Sequence, residues 1–302
     1  MIVYRELESI EKDLGFSAKT LYALSNSLKR HYRYVLVPKS DGSKRQLSVP
    51  DTILKRVQRA IADNILTLFP VSQYATAYKK GATLRQNAYP HIGKAKILKL
   101  DIEGFFDNIL YSRVKDLVFT KECFSEPIRV LLSMLCYNQD ALPQGAPSSP
   151  AITNILMYNF DEKIGAYCKK KGITYTRYCD DMTFSGEFDD KKVIAYVARE
   201  LRKLGFFLKN RKTVTVPNSK RQTVTGIVVN QKINLPKDYK KKLRQEIYYI
   251  KKFGLASHCD RLAIEDPQKY LRSLQGKIAY VLQVLRFDKE FCAYRDFVKT
   301  LL

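Results

Sequence analysis

The stretch YTRYCDDMTF, residues 175–184, carries the most informative pattern in this 302-residue chain. Apolar and β-branched residues on either side of Cys179-Asp180-Asp181 predict two short strands, over 173–178 and 182–185, joined by a tight turn. Adjacent carboxylates in a half-buried hairpin repel each other, and a divalent cation bound beside them would reverse the sign of that interaction. A polar turn without a metal remains the alternative, because acidic residues are common in turns.

A third acid lies at the end of another predicted strand. Asp101 closes the nearly continuous apolar run 97–100, where a lone carboxylate is unusual unless it simply caps the strand end. Three carboxylates delivered to one sheet edge could hold two Mg²⁺ ions about 3.5–4 Å apart. Mg²⁺ suits such a site, because it takes a few carboxylates and completes its octahedron with phosphate oxygens and water. The acids therefore predict a two-magnesium site, with an ordinary strand-end cap as the alternative for Asp101.

The chain is strongly basic, with 53 Lys and Arg residues against 30 Asp and Glu and a formal net charge of +23. Such an excess attracts polyanions, because each phosphate that Lys or Arg neutralises releases condensed counterions. This favours nucleic acid over an anionic membrane surface as the partner. No run of about 18 apolar residues indicates a membrane span, so no membrane association is expected. Six scattered cysteines without C-x-x-C spacing indicate reduced thiols in a cytoplasmic protein.

Hydrophobic periodicity predicts a mixed order of helices and strands, and therefore an α+β architecture that delivers the acids to one sheet edge. A β-hairpin is expected where the runs 34–37 and 44–49 flank an Asp-Gly turn. Further strands are expected over 97–101, 206–216 and 222–230. Helices are expected over 5–30, after Pro50-Asp51, over 112–136, 149–171 and 191–204, and beyond Pro236.

Four segments, in this order along the chain, resemble the sequence motifs of reverse transcriptases. They are DIEGFF at 101–106, LPQGAPSSP at 142–150, YCDD at 178–181, and LGF at 204–206 continuing through Asn210, Lys212 and Thr213. Their order and spacing match that family across roughly residues 30–230. Two further segments, NAYPH at 87–91 and VTG at 224–226, resemble retron-type bacterial enzymes more than group II intron enzymes, which usually carry further maturation domains.

The resemblance implies a right-hand polymerase fold with fingers, palm and thumb. Residues 1–96 would form N-terminal helices and fingers. Residues 97–235 would form the palm, an antiparallel sheet plus helices that carries the catalytic motifs, with part of the fingers inserted at about 112–147. Residues 236–302 would form a helical, RNA-binding thumb.

The resemblance also implies roles for individual residues. Asp101, Asp180 and Asp181 would be the catalytic metal ligands, with the backbone of Ile102 beside them. Phe106 would be a steric gate against a ribose 2′-hydroxyl, although plain core packing is the alternative. The other nucleotide contacts would be made by Lys39, Arg45, Gln144, Gly145 and Lys212. Cys179 departs from the family pattern, since retron enzymes more often have Ala there.

RNA contacts are expected in the two retron-like segments and in the basic helix after Pro236. A lone histidine such as His91 is more often a satisfied structural residue, and a basic helix face can be merely solvated. Cations grip phosphates and tyrosines stack on bases, so RNA binding is the preferred interpretation. The residues expected to bind RNA are Asn87, His91, Val224, Thr225, Gly226, Lys241, Lys242, Arg244 and Tyr248.

The function implied is that of a retron reverse transcriptase, which copies a dedicated noncoding RNA from dNTPs into a short DNA. Priming from a guanosine 2′-hydroxyl would give branched RNA–DNA (msDNA), and host RNase H would remove the template. A separate effector or toxin protein is the expected partner in an anti-phage defence system. The alternatives are a group II intron or diversity-generating reverse transcriptase, and a non-catalytic scaffold that binds RNA and an effector.

Overall fold

A computed structural model describes residues 3–38, 42 and 44–302. The backbone divides into two compact units, each assembled from separate stretches of the chain. Unit 1 comprises residues 1–80, 99–182 and 188–214. Unit 2 comprises residues 81–98, 183–187 and 215–302.

The N-terminal stretch predicted to be helical, 5–30, is helical, but it is divided into separate helices. The stretch forms α1 (Leu7–Leu14) and α2 (Ala18–Asn26), followed by a short 3₁₀ turn at Leu28–His31. Gly15 ends α1 in a left-handed conformation with φ of 71°, as glycine commonly does after a helix. The Ser17 hydroxyl then accepts a hydrogen bond from the Thr20 amide and begins α2.

The predicted hairpin is present as β1 (Tyr32–Pro38) and β2 (Lys44–Pro50), paired antiparallel. The following helix, α3 (Thr52–Ala60), begins where the Asp51 carboxylate accepts a hydrogen bond from the Leu54 amide. It continues into a wider helical turn at Ile61–Ile65 and a 3₁₀ turn at Leu66–Leu68. The hairpin and the helix start therefore agree with the sequence prediction.

A four-stranded sheet carries the acidic turn. Its strands are β3 (Lys96–Asp101), β4 (Thr174–Tyr178), β5 (Asp181–Gly186) and β6 (Val214–Pro217), in the order β4-β5-β3-β6. The prediction of long strands over 206–216 and 222–230 is wrong. A 3₁₀ turn at Asn210–Lys212 interrupts the first, and only β7 (Thr223–Val224) and β8 (Ile227–Val228) form in the second.

Further α-helices lie between Leu84 and Lys203. The predicted helix over 112–136 is two helices separated by a loop, and the one over 149–171 is divided at Met157. The α-helices of this part of the chain are α4 (Leu84–Ala88), α5 (Tyr111–Leu117), α6 (Glu126–Leu135), α7 (Ser149–Leu156), α8 (Tyr158–Lys170) and α9 (Asp190–Lys203).

The chain beyond Pro236 is helical, as predicted. It forms α10 (Lys237–Phe253), α11 (Leu255–Arg261), α12 (Pro267–Val284) and α13 (Lys289–Lys299). Leu243, Ile247 and Ile250 face inward from α10 at helical spacing and join the apolar core of unit 2. Among the residues that the structure describes, no helix is long and apolar enough to cross a bilayer.

Candidate active site

The acidic turn and the end of β3 lie side by side in unit 1. Cys179, the first residue of the turn between β4 and β5, adopts a left-handed conformation with φ of 61°. The Ile102 amide donates a hydrogen bond to the Asp180 carbonyl at 3.3 Å. Because Ile102 follows Asp101 directly, this bond holds Asp101 beside Asp180 and Asp181. The three predicted carboxylates therefore converge.

They converge on a cavity of about 720 Å³ within unit 1. Of the residues singled out from the sequence, the following line it: Arg45, Asp101, Ile102, Phe106, Gln144, Asp180, Asp181 and Lys212. Lys39 lies outside the described residues, and Gly145 is not part of the lining. Apart from Lys39 and Gly145, the nucleotide-contact and metal-ligand candidates thus line one cavity.

The carboxylates interact strongly with one another. Burial raises the pKa of the Asp181 carboxyl to about 6, assisted by the charge of Asp180 and a hydrogen bond with Asp101. Asp101 is only 3% exposed and contacts the Lys212 ammonium, with 2.7 Å between Oδ1 and Nζ. Burial would lower the pKa of Lys212, but the hydrogen bond to Asp101 and the nearby acids raise it. Lys212 is therefore a cation at neutral pH.

This donor set fits a divalent metal in its chemistry. Oxygen ligands from two or three carboxylates are what Mg²⁺ takes in proteins, and positive charge among them would offset their mutual repulsion. Among the described residues, no group of three or more His, Cys, Asp or Glu side chains is placed closely enough to hold a metal ion. The Lys212 ammonium donates a hydrogen bond to Asp101 Oδ1 at 2.7 Å. Asp101, Asp180 and Asp181 are the residues that would hold the ion.

A buried ion pair contacts the backbone of the acidic turn. Arg177 in β4 and Asp161 in α8 are both fully buried, with 2.6 Å between Nη2 and Oδ2. Arg177 Nη1 also donates to the Cys179 carbonyl at 2.9 Å, and the Tyr175 hydroxyl donates to Asp161 at 2.8 Å. Burial would lower the pKa of Arg177, but Asp161 outweighs it and raises that pKa. One guanidinium thus ties α8 to the backbone of the acidic turn.

Tyr78 is a neighbour of the site that the sequence analysis missed. Residues 74–77 run beside β4, with the Thr76 amide donating to the Arg177 carbonyl at 2.8 Å. This places Tyr78, itself left-handed with φ of 60°, in hydrogen-bond contact with the Cys179 thiol. Burial, then Asp180, raises the pKa of Cys179 to about 12, so the thiol is protonated. Nothing in the local sequence around Tyr78 pointed to this contact.

Lys99 was missed as well, although strand alternation would have found it. It lies two positions before Asp101 in β3, and residues two apart share a sheet face. Burial lowers the pKa of Lys99, while the nearby Asp181 carboxylate opposes that change. A second cation therefore lies close to the acids, in addition to Lys212.

The LPQG segment packs against the hairpin. The Ser48 amide donates to the Gln144 carbonyl at 2.9 Å, and Gln144 Nε2 donates to Asp107 Oδ1 at 3.3 Å. Gly145 has φ of 127°, and a Cβ there would lie 2.9 Å from the Ser48 carbonyl oxygen. Glycine is therefore required for close approach of the two backbones. In this structure the close approach is to β2.

The two retron-like segments meet in unit 2. Asn87 Nδ2 lies 3.4 Å from Thr225 Oγ1, and the Gly93 amide donates to the Val229 carbonyl at 3.0 Å. Thr225 and Gly226 form the tight turn between β7 and β8, with φ of 45° and 82°. Segments far apart in sequence thus form one local structure.

Three of the expected RNA contacts in these segments need correction. Asn87, His91 and Val224 are at most 1% exposed, so their side chains support the turn from inside and do not face a ligand. His91 Nδ1 lies 2.6 Å from the Ser185 hydroxyl, and burial followed by the charge of Lys94 lowers its pKa to about 3. His91 is a neutral, structural histidine.

The expected RNA contacts on α10 are exposed, but one of them is already engaged. Lys241, Lys242 and Tyr248 lie on the solvent face. Arg244 makes a two-point ion pair with Glu290 of α13, at 2.7 and 2.6 Å. Arg244 therefore fastens α10 to α13 and is less available for phosphate than its neighbours.

Comparison with known proteins decides the family. A family model described as reverse transcriptase (RNA-dependent DNA polymerase) matches residues 37–229. The chain belongs to the reverse transcriptase family. This reverse transcriptase is 30% identical over 305 residues to the retron Mx65 reverse transcriptase of Myxococcus xanthus, covering 92% of the chain and 68% of that relative. It is 32% identical over 254 residues to the retron Ec86 reverse transcriptase of Escherichia coli, covering 82% and 79%.

A solved structure supports the fold of this reverse transcriptase. Apo telomerase from Candida tropicalis, truncated from its C-terminal domain, superposes with a TM-score of 0.50 at 13% identity, covering 73% of this chain and 61% of that one. At that identity the likeness concerns the fold alone. The predicted right-hand polymerase fold, the retron-type family and the RNA-directed DNA polymerase activity are confirmed.

Proposed function

We propose that this reverse transcriptase copies a dedicated, structured noncoding RNA into a short single-stranded DNA. The convergence of Asp101, Asp180 and Asp181 on one cavity is the observation that carries the catalytic assignment. The similarity to two retron enzymes and the packing of Asn87 on Thr225 support the retron assignment.

Each addition joins a primer hydroxyl oxygen to the α-phosphorus of a dNTP and releases pyrophosphate. The three aspartates and the Ile102 backbone would hold two Mg²⁺ ions, which supply charge neutralisation and a more acidic primer hydroxyl. Arg45 and Lys39 would bind the triphosphate. Arg45 is the better match, because its guanidinium fork fits phosphate oxygens. Lys212 would give a proton to the departing pyrophosphate.

The template side is assigned to the LPQG segment. Gln144 lines the cavity, and Gly145 lets the backbone of this segment lie close to β2. We assign Gln144 and Gly145 to the incoming nucleotide and its template base. The fingers would comprise residues 1–96 with an insertion at about 112–147, the palm 97–235, and the thumb 236–302.

The first nucleotide would be joined to a guanosine 2′-hydroxyl of the RNA, so the product would be branched msDNA. Host RNase H would remove the copied template, and the enzyme would act in the cytoplasm. A separate effector or toxin would complete an anti-phage defence system. The thumb would bind the cognate RNA through Lys241, Lys242 and Tyr248, and the Thr225-Gly226 turn, in which Gly226 is exposed and Thr225 half-buried, would add a second contact.

Nucleic acid extracted from the purified protein tests this proposal when it is sequenced through any branch. We expect one short structured RNA joined by a 2′–5′ linkage to DNA complementary to part of it. A group II intron or diversity-generating enzyme would carry another RNA without this linkage. A non-catalytic scaffold would carry RNA and no complementary DNA, and either result would overturn the retron assignment.

Replacing Phe106 tests the steric gate. Phe106 lines the cavity, while Phe105 is buried and packs on Phe206 with 5.4 Å between ring centroids. We expect Phe106→Ala to raise ribonucleotide use relative to deoxynucleotide use by at least about tenfold, because a pocket that excludes one hydroxyl discriminates by about that factor or more. The ratio of kcat/KM values for rNTP and dNTP measures the effect.

Phe106→Tyr keeps a ring at this position and serves as the control, with discrimination close to wild type. If Phe106 only packs the core, Phe106→Ala would lower stability and slow both nucleotides equally. An unchanged ratio would remove the gate assignment.

A further inference from the structure

An exposed aromatic ring lies in the turn between α12 and α13. Phe287 is 87% exposed, more than any other large hydrophobic residue that the structure describes. Its φ is 64°, and the Asp288 amide donates to the Leu285 carbonyl at 3.3 Å, which closes a four-residue turn. The third position of such a turn favours glycine, because a side chain is strained there. A bulky ring in this conformation is rare, and such outliers concentrate at functional positions.

Cations line the same cavity as this ring. Phe287 lines a cavity of about 400 Å³ in unit 2 together with Arg85, Lys232, Lys240 and Arg286. Within residues 3–38, 42 and 44–302, none of these four cations forms an ion pair with an acid. The cavity has one acid, Asp288, which begins α13 by accepting a hydrogen bond from the Phe291 amide. The surroundings of the ring are therefore strongly positive.

Two of the cations are held in place by neutral oxygens. Arg85 Nη1 donates to the carbonyl of Val284, the last residue of α12, at 2.6 Å. Lys240 Nζ donates to Asn234 Oδ1 at 2.8 Å. Neutral acceptors fix the position of a cation without cancelling its charge, so these side chains stay attractive to phosphate.

We propose that the Phe287 turn, residues 285–288, is a stacking site for an unpaired base of single-stranded RNA. The ring would stack on the base, and the four cations would hold the flanking phosphates. Unpaired loop bases of a structured RNA are the ones free to stack on a protein ring. This inference rests on the proposed function, because it assigns to the thumb a specific contact with the RNA.

The turn geometry gives a direct test, since Phe287→Gly removes the ring and relieves the backbone strain together. We expect the variant to unfold at the same temperature as wild type or up to about 2 °C higher, because glycine adopts positive φ without steric strain. Its affinity for a labelled 12-nucleotide single-stranded RNA of mixed sequence should fall about tenfold, the usual scale of one base stack. Phe287→Trp should bind within about twofold of wild type.

Ala263→Gly is the matched control, because Ala263 is a second exposed residue of unit 2 with positive φ, 51°, and has no ring. It should leave RNA affinity unchanged. Retained RNA affinity in Phe287→Gly would overturn the proposal, including the case where the variant loses a protein partner instead. Sequencing the nucleic acid that copurifies with wild type separates this outcome from failure of the proposed function, because in that case wild type would carry no branched RNA–DNA.

Discussion

Replacing Asp180 and Asp181 together with Asn should reduce DNA synthesis by about 10³-fold or more while RNA binding survives. The amides cannot supply the anionic oxygens that a pair of Mg²⁺ ions requires, and metal assistance accounts for several kcal/mol of the barrier to phosphoryl transfer. RNA binding should persist, because the exposed cations of the thumb and the Phe287 turn are unchanged. Primer extension with Mg²⁺ and dNTPs measures the first effect, and filter binding of RNA the second.

Asp140→Asn provides the control for this double substitution. Asp140 is an exposed acid of unit 1 outside the cavity, so its removal should leave synthesis unchanged. Wild-type synthesis by the Asp180→Asn/Asp181→Asn variant would disprove the metal assignment. Loss of RNA binding together with a lowered unfolding temperature would instead show that the two acids serve the fold.

The acidic turn could be predicted from sequence because its information is local. Strand residues on both sides of Cys179-Asp180-Asp181 define the hairpin, and Asp101 ends an apolar run, so each element is visible in a short window. That the two elements are neighbours follows from the family resemblance, and the Ile102–Asp180 hydrogen bond confirms it. Apart from Arg45 in the hairpin, the predicted residues that line the cavity all belong to these sequence motifs.

The parts that sequence could not supply depend on packing between distant segments. Asp161 lies in α8 with no local feature to mark it, and only the folded chain brings it to Arg177. The burial of His91 likewise involves Ser185, which lies far away in the sequence, on β5. The predicted strand over 206–216 failed because a 3₁₀ turn at Asn210–Lys212 brings Lys212 to Asp101, a tertiary contact that overrides β propensity.

Replacing Arg177 with Met should be the most destabilising single change predicted here. It would leave the Asp161 carboxylate buried without its partner, and breaking a buried ion pair in this way costs about 3–5 kcal/mol. For a chain of this size the unfolding temperature should fall by roughly 10 °C. DNA synthesis should fall as well, because the Cys179 carbonyl loses the guanidinium that fixes the acidic turn. Urea unfolding measures the lost free energy of unfolding, thermal unfolding measures the temperature shift, and primer extension measures the loss of synthesis.

The double variant Arg177→Met/Asp161→Leu separates stability from positioning. Removing both charges should recover part of the lost stability, since apolar residues of similar volume can replace a buried ion pair at little cost, although the buried Tyr175 hydroxyl loses its acceptor. Synthesis should remain reduced, because no donor replaces Arg177 Nη1 at the Cys179 carbonyl. Wild-type synthesis by the double variant would show that the turn holds its shape without Arg177. A double variant no more stable than Arg177→Met would show that the unpaired carboxylate is not the main cost, and that lost packing or the Tyr175 hydroxyl left without Asp161 accounts for it.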